Sequence, residues 1–284
     1  MQVPKPCVIA IGKFESIHLG HQALIAEMVR IASEAQQAKL ATALLVFEPH
    51  PYRVLFDPGY KPLLTSTERE YLVSGLGVDY LLEYPFDRNF AALSPEQFCQ
   101  KLFNELQAQV VVVGEGYRFG HKRAGTVDTL RQLAEPAGAR VHVVSTQQAR
   151  YCCCNSDAAC TDKTSTSVIR GMLAANKLKE AESLLGYPFF VMEEAMPGHK
   201  SDGAAGFPVV DIYPPKDKFL PNDGTYATRI VIDGRPYKSV TEVIVCPAAT
   251  HNGRIITTHL YGVDDRELYG KQVRVEFMHC LLFS

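Results

Sequence analysis

Long hydrophobic runs are absent from this chain of 284 residues. A membrane-spanning helix needs about 20 consecutive, mainly apolar residues, whereas the most apolar stretches, such as residues 110–113, have only the length of a β-strand. The N-terminal segment places a few apolar residues before Gly12-Lys13, which is too short for the hydrophobic region of a signal peptide. We therefore predict a cytoplasmic protein without a membrane span.

An excess of charge of one sign is absent as well. Lys and Arg total 29 and Asp and Glu total 31, so the formal net charge is −2 and provides no basic field that would attract nucleic acid. Hydrophobic residues make up 46% and charged residues 21%, which is typical of a folded globular protein and excludes general disorder. The length accommodates one large domain or two ordinary ones.

The chain contains eight cysteines in 284 residues, which is too few for a scaffold held together by disulfides. Four of them nevertheless lie close together, at Cys152, Cys153, Cys154 and Cys160. Zinc sites usually separate paired cysteines by about two to four residues, which three adjacent cysteines do not. Three interpretations stay open: a metal site, thiols that oxidise and block a neighbouring nucleotide site, and a loop without a role.

Strand-like and helix-like segments alternate over residues 1–185. The strand-like segments are short and rich in Val, Ile and Leu, as in strands buried on both faces; they cover residues 7–11, 40–47, 80–83, 110–113 and 141–145. Amphipathic segments between them predict helices at residues 22–36, 67–76, 95–107 and 126–137. The alternation predicts an α/β domain with a doubly wound, mainly parallel, Rossmann-like sheet.

The pattern changes after residue 185. Residues 197–224 are rich in Pro and Gly and predict a loop. Alternating strand segments follow at residues 225–232, 237–245, 254–261 and 272–278, separated by turn signals such as Asn252-Gly253. Residues 186–284 are therefore predicted to form a second domain, a small antiparallel β-barrel.

A candidate phosphate site follows the first predicted strand, in the decapeptide from Gly12 to His21. Ligands of open parallel sheets bind at the carboxyl ends of the strands, where a helix N-terminus offers free N–H groups to phosphate. His18 and His21 are three residues apart, which places both imidazoles on one face of the first helical turn. Gly12 and Gly20 lack a Cβ and let the backbone approach a phosphate. The alternative interpretation of the histidine pair is a surface position without function.

This decapeptide, Gly-Lys-Phe-Glu-Ser-Ile-His-Leu-Gly-His, resembles the signature of the bacterial bifunctional riboflavin kinase/FMN adenylyltransferases, the FAD synthetases. Its His-Leu-Gly-His core is similar to that of the wider nucleotidylyltransferase superfamily. Five further motifs of the family recur in the same order within the first predicted domain. They are Phe47-Glu48-Pro49-His50-Pro51, residues 77–82, residues 86–98, residues 113–120 and residues 165–170.

The resemblance implies transfer of AMP from ATP to the phosphate of FMN, giving FAD and pyrophosphate, with Mg²⁺ as the cofactor. It implies that His18 and His21 are catalytic residues that contact the ATP phosphates, and that Gly12, Phe14 and Gly20 shape the nucleotide pocket. The chemistry is compatible with these residues, because nucleotidyl transfer needs two aligned polyanions and neutralisation of the developing charge rather than a covalent intermediate on the protein.

Other residues are assigned to the same site by the resemblance. Ser165, Thr166 and Arg170 match the second phosphate motif of the family, in which hydroxyls and a guanidinium contact the triphosphate, and Arg170 is predicted to be catalytic. The alternative for Ser165 and Thr166 is a helix cap.

Two loops complete the predicted site. The basic loop with Arg118 and Arg123 matches the Arg-Phe-Gly motif of the family, so it is predicted, together with Gly114, to bind the flavin phosphate and the nucleotide. The alternative is a solvated basic loop. His50, between two prolines at the end of the second predicted strand, is predicted to contact the flavin phosphate, and the alternative is a histidine that serves the turn geometry.

Two positions of the first domain depart from the family. Glu15 stands where the family has Asp, so its carboxylate reaches one methylene further, and Gly116 replaces an acidic residue. These departures leave open a second function, that of a paralogue which binds flavin or nucleotide without turnover and acts as a regulator. A third is a nucleotidylyltransferase with another phosphate acceptor, because the histidine motif alone does not specify the acceptor.

The second domain resembles the riboflavin kinase barrel of the family but lacks two of its functional side chains. Val209 stands where the family has a Thr near Mg²⁺ and ATP, and Thr257 stands where it has the Glu that acts as the base on the riboflavin hydroxyl. A Thr hydroxyl is not a general base near neutral pH. The barrel is therefore predicted to lack riboflavin kinase activity.

Overall fold

The computed structural model describes residues 6–35, 40–145, 165–198, 208–246, 253–261 and 268–283. The chain forms two compact units. The first comprises Met1–Tyr60 and Arg69–Thr164, and the second comprises Lys61–Glu68 and Ser165–Ser284. The segment Lys61–Glu68 thus belongs to the second unit, although residues of the first unit surround it in the sequence. The domain boundary at residue 185 stays a prediction.

The first unit is built on a five-stranded parallel sheet with the order β3-β2-β1-β4-β5. Its strands are β1 Cys7–Ile11, β2 Ala41–Glu48, β3 Tyr80–Pro85, β4 Ala108–Gly114 and β5 Arg140–Val144. Its helices within the described ranges are α1 Leu19–Glu34, α2 Pro51–Leu55, α3 Ser66–Ser74, α4 Arg88–Ala91, α5 Pro95–Gln100 and α6 Val127–Ala134, of which α3 begins in the second unit. Short turns of π or 3₁₀ helix cover Lys101–Glu105, His121–Arg123 and Glu135–Ala137. The parallel pairing confirms the predicted α/β fold.

Local sequence explains both the centre of this sheet and one of its helices. All residues of β1 are buried, because the central strand of a parallel sheet is covered on both faces. Helix α5 begins with Pro95 after Ser94, and the side chains of Ser94 and Gln97 close a capping box. Parallel pairing also brings the carboxyl ends of β1, β2 and β4 to one edge of the sheet, and the predicted residues His18, His50 and Arg118 follow these strands.

Within its described residues, the second unit contains two complete helices and a seven-stranded antiparallel sheet that forms a nearly closed β-barrel, as predicted. The strand order is β6-β12-β9-β10-β11-β8-β7. The helices are α7 Thr166–Ala174 and α8 Leu178–Leu185, and the strands are β6 Phe190–Glu194, β7 Met196–Pro197, β8 Val209–Ile212, β9 Gly224–Ile232, β10 Arg235–Val245, β11 Arg254–Leu260 and β12 Gln272–Phe283. Residues of α7 and α8 share one apolar core with the barrel, including Ile169, Leu185 and Phe277.

The barrel has three strands that the sequence analysis did not predict, namely β6, β7 and β8. The prediction of a loop over residues 197–224 was wrong for β8, which lies inside that Pro- and Gly-rich stretch. This strand is formed by pairing with β11, with Asp211 opposite Thr257, and such long-range pairing is not visible in local composition. No helix within the described ranges is both long and apolar enough to cross a membrane.

Candidate functional site

The turn between β1 and α1 carries the two predicted histidines at the carboxyl edge of the parallel sheet. His18 is the N-cap of α1, and its Nδ1 accepts a hydrogen bond from the backbone N–H of His21 at 3.3 Å. A neutral His18 therefore carries its proton on Nε2. The two imidazole rings stack with their centroids 3.8 Å apart and an interplanar angle of 15°. The structure confirms that both rings lie on one face of the first turn.

Two of the predicted glycines make room for rings of this turn. A Cβ at Gly20 would lie 3.1 Å from Cε1 of His18, and a Cβ at Gly12 would lie 2.9 Å from Cε2 of Phe14. Phe14 is fully buried, and its ring centroid lies 4.9 Å from that of His21. Gly12 and Gly20 therefore allow these rings to pack against the backbone, a role that the sequence interpretation did not include. Contact of the two glycines with a phosphate stays a prediction.

Burial sets the charge of the histidine pair. It lowers the pKa of His18 to about 4. It also lowers the pKa of His21 well below the ordinary 6.5, and the adjacent His18 adds to that effect. Both imidazoles are therefore neutral at pH 7 and offer N–H donors rather than positive charges. A phosphate placed beside them favours their protonated forms and raises both pKa values.

The turn also has polar groups that can receive an anion. Within the described part of the chain, the buried Nδ1 of His21 has no hydrogen-bond partner, although buried polar atoms normally have one. The first turn of α1 contains no acidic side chain, so the N-terminus of this helix keeps its affinity for negative charge. Together these features suit the turn to a phosphate group.

Glu15 of the same turn is buried and is held by Tyr60. The Tyr60 hydroxyl lies 2.7 Å from Oε1 and 2.8 Å from Oε2 of Glu15 and donates its hydrogen to the carboxylate. His50 caps α2 through Nδ1, which accepts from the backbone N–H of Tyr52 at 3.2 Å. Its Nε2 lies 3.4 Å from Oε2 of Glu15, and its ring stacks with that of Tyr60, with centroids 5.0 Å apart. These contacts join the loops that follow β1 and β2.

Sequence reasoning did not identify Tyr60. The residue lies in Asp57-Pro58-Gly59-Tyr60, whose composition indicates only a loop, and it is 45 positions away from Glu15. His50 is where the prediction placed it, at the end of β2, and its cap of α2 bears out the alternative role in local geometry. Contact of His50 with a flavin phosphate stays a prediction.

The basic loop after β4 has a tightly constrained backbone. Gly120 has a φ of 72°, and a Cβ there would lie 2.9 Å from the nitrogen of Pro95, so only glycine fits. Phe119 and Gly125 pair as an antiparallel bridge that closes the loop. The loop therefore presents its cationic side chains from a fixed backbone.

The predicted ligand residues of this loop are Arg118, Arg123 and Gly114. Arg118 and Arg123 are both exposed, and Arg123 has a left-handed φ of 60°. Gly114 is the last residue of β4, and a Cβ there would meet only Leu24, at 3.9 Å. A Cβ at Gly116 would meet nothing within 4 Å. The described packing around position 116 therefore leaves room for a Cβ and does not require glycine there.

Three predicted phosphate ligands lie in the second unit, at the beginning of α7. Ser165 is the N-cap of this helix, and its Oγ accepts from the backbone N–H three residues later at 3.4 Å, which confirms the alternative role as a cap. Thr166 is the first helical residue. Arg170 donates through Nη1 to the carbonyl oxygen of Lys61 at 2.5 Å, and its guanidinium lies 4.8 Å from the ring centroid of Phe219. Contact of these residues with phosphate stays a prediction.

The two barrel positions at which the sequence departs from the family it resembles lie on the neighbouring strands β8 and β11. The Thr257 hydroxyl donates to Oδ1 of Asp211 at 2.7 Å, and Asp211 is fully buried. Val209 lies two residues earlier on β8 and is half-buried. The hydroxyl of Thr257 is thus engaged with a neighbouring carboxylate.

Metal-binding residues are not clustered in the part of the chain that the structure describes, where no group of three or more His, Cys, Asp or Glu side chains could hold an ion. The cluster Cys152, Cys153, Cys154 and Cys160 lies outside the described residues. Its three interpretations therefore stay open.

Comparison with known proteins supports the resemblance found in the sequence. The FAD synthetase family model matches residues 1–157, and the riboflavin kinase family model matches residues 185–282. A bifunctional riboflavin kinase/FMN adenylyltransferase of Listeria monocytogenes is 30% identical over 273 residues, which are 95% of this chain and 82% of the relative. The protein of the same description from Escherichia coli K12 has the same identity and coverage.

A solved structure shares the fold over the full length. The crystal structure of a macrolide-efflux protein from Streptococcus pneumoniae matches with a TM-score of 0.78 and 23% identity. The match covers 100% of this chain and 88% of that one. At this identity the likeness concerns the fold alone.

Proposed function

Because the chain belongs to the family of bifunctional riboflavin kinase/FMN adenylyltransferases, we propose that it transfers AMP from ATP to FMN and releases FAD and pyrophosphate. The observation that carries the proposal is the stacked pair of His18 and His21 at the N-terminus of α1, with the buried Nδ1 of His21 available to a ligand. The family indicates the substrates, and the turn supplies hydrogen-bond donors suited to their phosphates.

The reaction exchanges one phosphoanhydride bond for another. A phosphate oxygen of FMN attacks the α-phosphorus of ATP, the bond from that phosphorus to the bridging oxygen breaks, and pyrophosphate leaves with the electron pair. We assign His18, His21 and the N-terminal end of α1 to the ATP phosphates, on which negative charge builds up in the transition state. Protonation of the imidazoles beside the phosphates would stabilise that charge further.

The remaining predicted residues are assigned by their loops. Arg118, Arg123 and His50 are proposed to bind the flavin phosphate and the nucleotide, and Ser165, Thr166 and Arg170 are proposed to contact the triphosphate; Gly12, Phe14, Gly20 and Gly114 shape the pocket. Mg²⁺ is proposed to enter with ATP, because this ion usually binds through substrate phosphates and one or two carboxylates rather than through a cage of protein ligands.

The barrel contains a riboflavin kinase region, and we propose that this region does not phosphorylate riboflavin. Val209 offers no hydroxyl to a metal or nucleotide. Thr257 donates its hydrogen to Asp211, and a Thr hydroxyl cannot accept the proton of a ribityl hydroxyl as a carboxylate can. Adenylyl transfer does not need such a base, because the FMN phosphate is already an anionic nucleophile.

One experiment with the full-length protein tests these proposals. The protein is incubated with ATP, Mg²⁺ and either FMN or riboflavin, and the flavins and pyrophosphate are separated by chromatography. We expect FAD and pyrophosphate from FMN, and neither FMN nor FAD from riboflavin. Formation of FMN from riboflavin would show that the barrel is active as a kinase.

Absence of FAD from FMN would contradict the main proposal. If FMN or ATP still binds in calorimetry, the regulatory paralogue becomes the better assignment. If pyrophosphate is released only with another phosphorylated acceptor, the chain is a nucleotidylyltransferase of different specificity.

A further inference from the structure

We propose that Tyr60 is a positioning residue for adenylyl transfer, and that it acts through the carboxylate of Glu15 on the turn that carries His18. The inference rests on the proposed function and adds to it a residue that no sequence motif identifies. Glu15 follows β1, whereas Tyr60 lies beyond β2 and α2. Their hydrogen bond therefore fixes two separate loops of one sheet edge to each other.

The contact between Tyr60 and Glu15 is short and shielded from water. Glu15 is 2% exposed, and both of its carboxylate oxygens lie within 2.8 Å of the Tyr60 hydroxyl. A buried carboxylate must be compensated by hydrogen bonds, and a hydrogen bond to an ionised group is stronger than one between neutral groups. The hydroxyl of Tyr60 is therefore a strong constraint on the position of the Glu15 side chain.

The backbone on either side of Glu15 shows why such a constraint is needed. Phe14 has a φ of 42° and Ile17 has a φ of 41°, in the left-handed region that residues with a Cβ rarely adopt. Such conformations persist only where surrounding contacts fix them. Glu15 lies between the two strained residues, and His18 follows Ile17 directly. A displacement of Glu15 is therefore expected to move His18, which lies only three residues further along the chain.

The ring and the hydroxyl of Tyr60 have separate contacts. The ring stacks on His50, with centroids 5.0 Å apart and an interplanar angle of 22°. The hydroxyl binds Glu15. The substitution Tyr60→Phe keeps the ring that stacks on His50 and removes the hydrogen bond to Glu15, so it separates positioning of the turn from packing of the ring.

The test compares Tyr60→Phe with Tyr80→Phe in the full-length protein. Tyr80 is the first residue of β3 and is 38% exposed, so it lies at the amino end of a strand in the same unit, away from the site. We expect Tyr60→Phe to lower kcat for FAD formation about tenfold or more, with a smaller change in the KM for ATP, because a misplaced donor is felt most in the transition state. The control should match the wild type.

A double variant tests whether Tyr60 acts through Glu15. In a Glu15→Met background the carboxylate is gone, and Tyr60→Phe should then change kcat by less than about twofold, since the two residues share one contact. A further tenfold loss would overturn the proposal. So would a Tyr60→Phe protein with the kcat of the wild type and only a lower unfolding temperature, because that result indicates a purely structural role.

A spectroscopic readout keeps this inference separable from the proposed function. If the wild-type protein forms no FAD, the proposed function is wrong. NMR signals of the imidazole nitrogens and ring protons then still test the positioning role of Tyr60. Tyr60→Phe should shift the signals of His18 and His50, whereas Tyr80→Phe should leave them in place. Unchanged His18 signals in Tyr60→Phe would overturn the positioning role whether or not the protein is active.

Discussion

Lys218 and Glu68 form an ion pair in which neither side chain has exposed surface, with Nζ 2.6 Å from Oε2. Lys218 also donates to the carbonyl oxygen of Leu63. The second carboxylate oxygen of Glu68 accepts from the backbone N–H of Met192 at 3.0 Å. Each charge of this pair is therefore matched by a partner within the second unit.

Removal of one charge from this pair should destabilise the second unit. We expect Lys218→Met to lower the free energy of unfolding by about 3 kcal/mol, because Glu68 would be left as a buried carboxylate without its counter-charge. This loss corresponds to roughly 10 °C in the unfolding midpoint measured by calorimetry. The control is Lys271→Ala, which removes an exposed pair with Asp233 and should cost less than about 1 kcal/mol. Equal midpoints for the two variants would contradict the prediction.

The histidine pair should be essential for turnover and dispensable for folding. His18→Ala and His21→Ala are each expected to lower adenylyl transfer by about 100-fold or more, as removal of a charge-stabilising donor typically does. His279→Ala, an exposed histidine of β12, is the control and should be fully active. Rates are to be measured as FAD formed from FMN at saturating ATP. Wild-type turnover in either variant would remove these histidines from the mechanism.

Protonation of His18 should make the protein less stable in acid. Its pKa of about 4 lies below the 6.5 of an unfolded histidine, so the folded protein binds fewer protons than the unfolded chain between these values. The contribution of His18 to the free energy of unfolding is therefore fully present above pH 6.5. It is lost as the pH falls towards 4, by up to about 3 kcal/mol. His18→Asn keeps a residue that can cap α1 and should show a smaller decrease in unfolding midpoint between pH 7 and pH 4.5. Parallel decreases in both proteins would show that other groups control the effect.

Arg170 has two candidate roles that one substitution distinguishes. A guanidinium can bind phosphate through two N–H groups, whereas an ammonium is a point charge. We expect Arg170→Lys to raise the apparent KM for ATP about tenfold. If the KM is unchanged and only the unfolding midpoint falls, Arg170 serves to hold the Lys61 carbonyl and the Phe219 ring, and the phosphate assignment is wrong.

The parts of the fold that the sequence predicts are those whose signal is local. All five residues of β1 and residues 110–113 of β4 are buried and apolar. Ser94 and Pro95 mark the start of α5 in the sequence. The strand β8 has only a short apolar run between prolines, and it exists because β11 pairs with it. Strand pairing at such a separation is decided by tertiary packing, which no local pattern contains.

The same distinction applies to the candidate site. The stacking of His18 and His21 follows from their spacing on one helical turn. Tyr60 reaches Glu15 across 45 positions, and Arg170 reaches a backbone carbonyl across 109 positions. A carbonyl oxygen is present in every residue, so no side-chain pattern marks it as the partner of an arginine.

The segment Lys61–Glu68 places residues of the second unit within the sequence of the first. The chain enters and leaves the second unit around this segment and returns to it at Ser165, and Leu63 is buried in the same apolar core as the barrel. A gene fragment that ends before the barrel would encode this leucine without its core, and a fragment that starts at the barrel would lack it. A single cut between Glu68 and Ser165 therefore cannot release the second unit as one complete fragment.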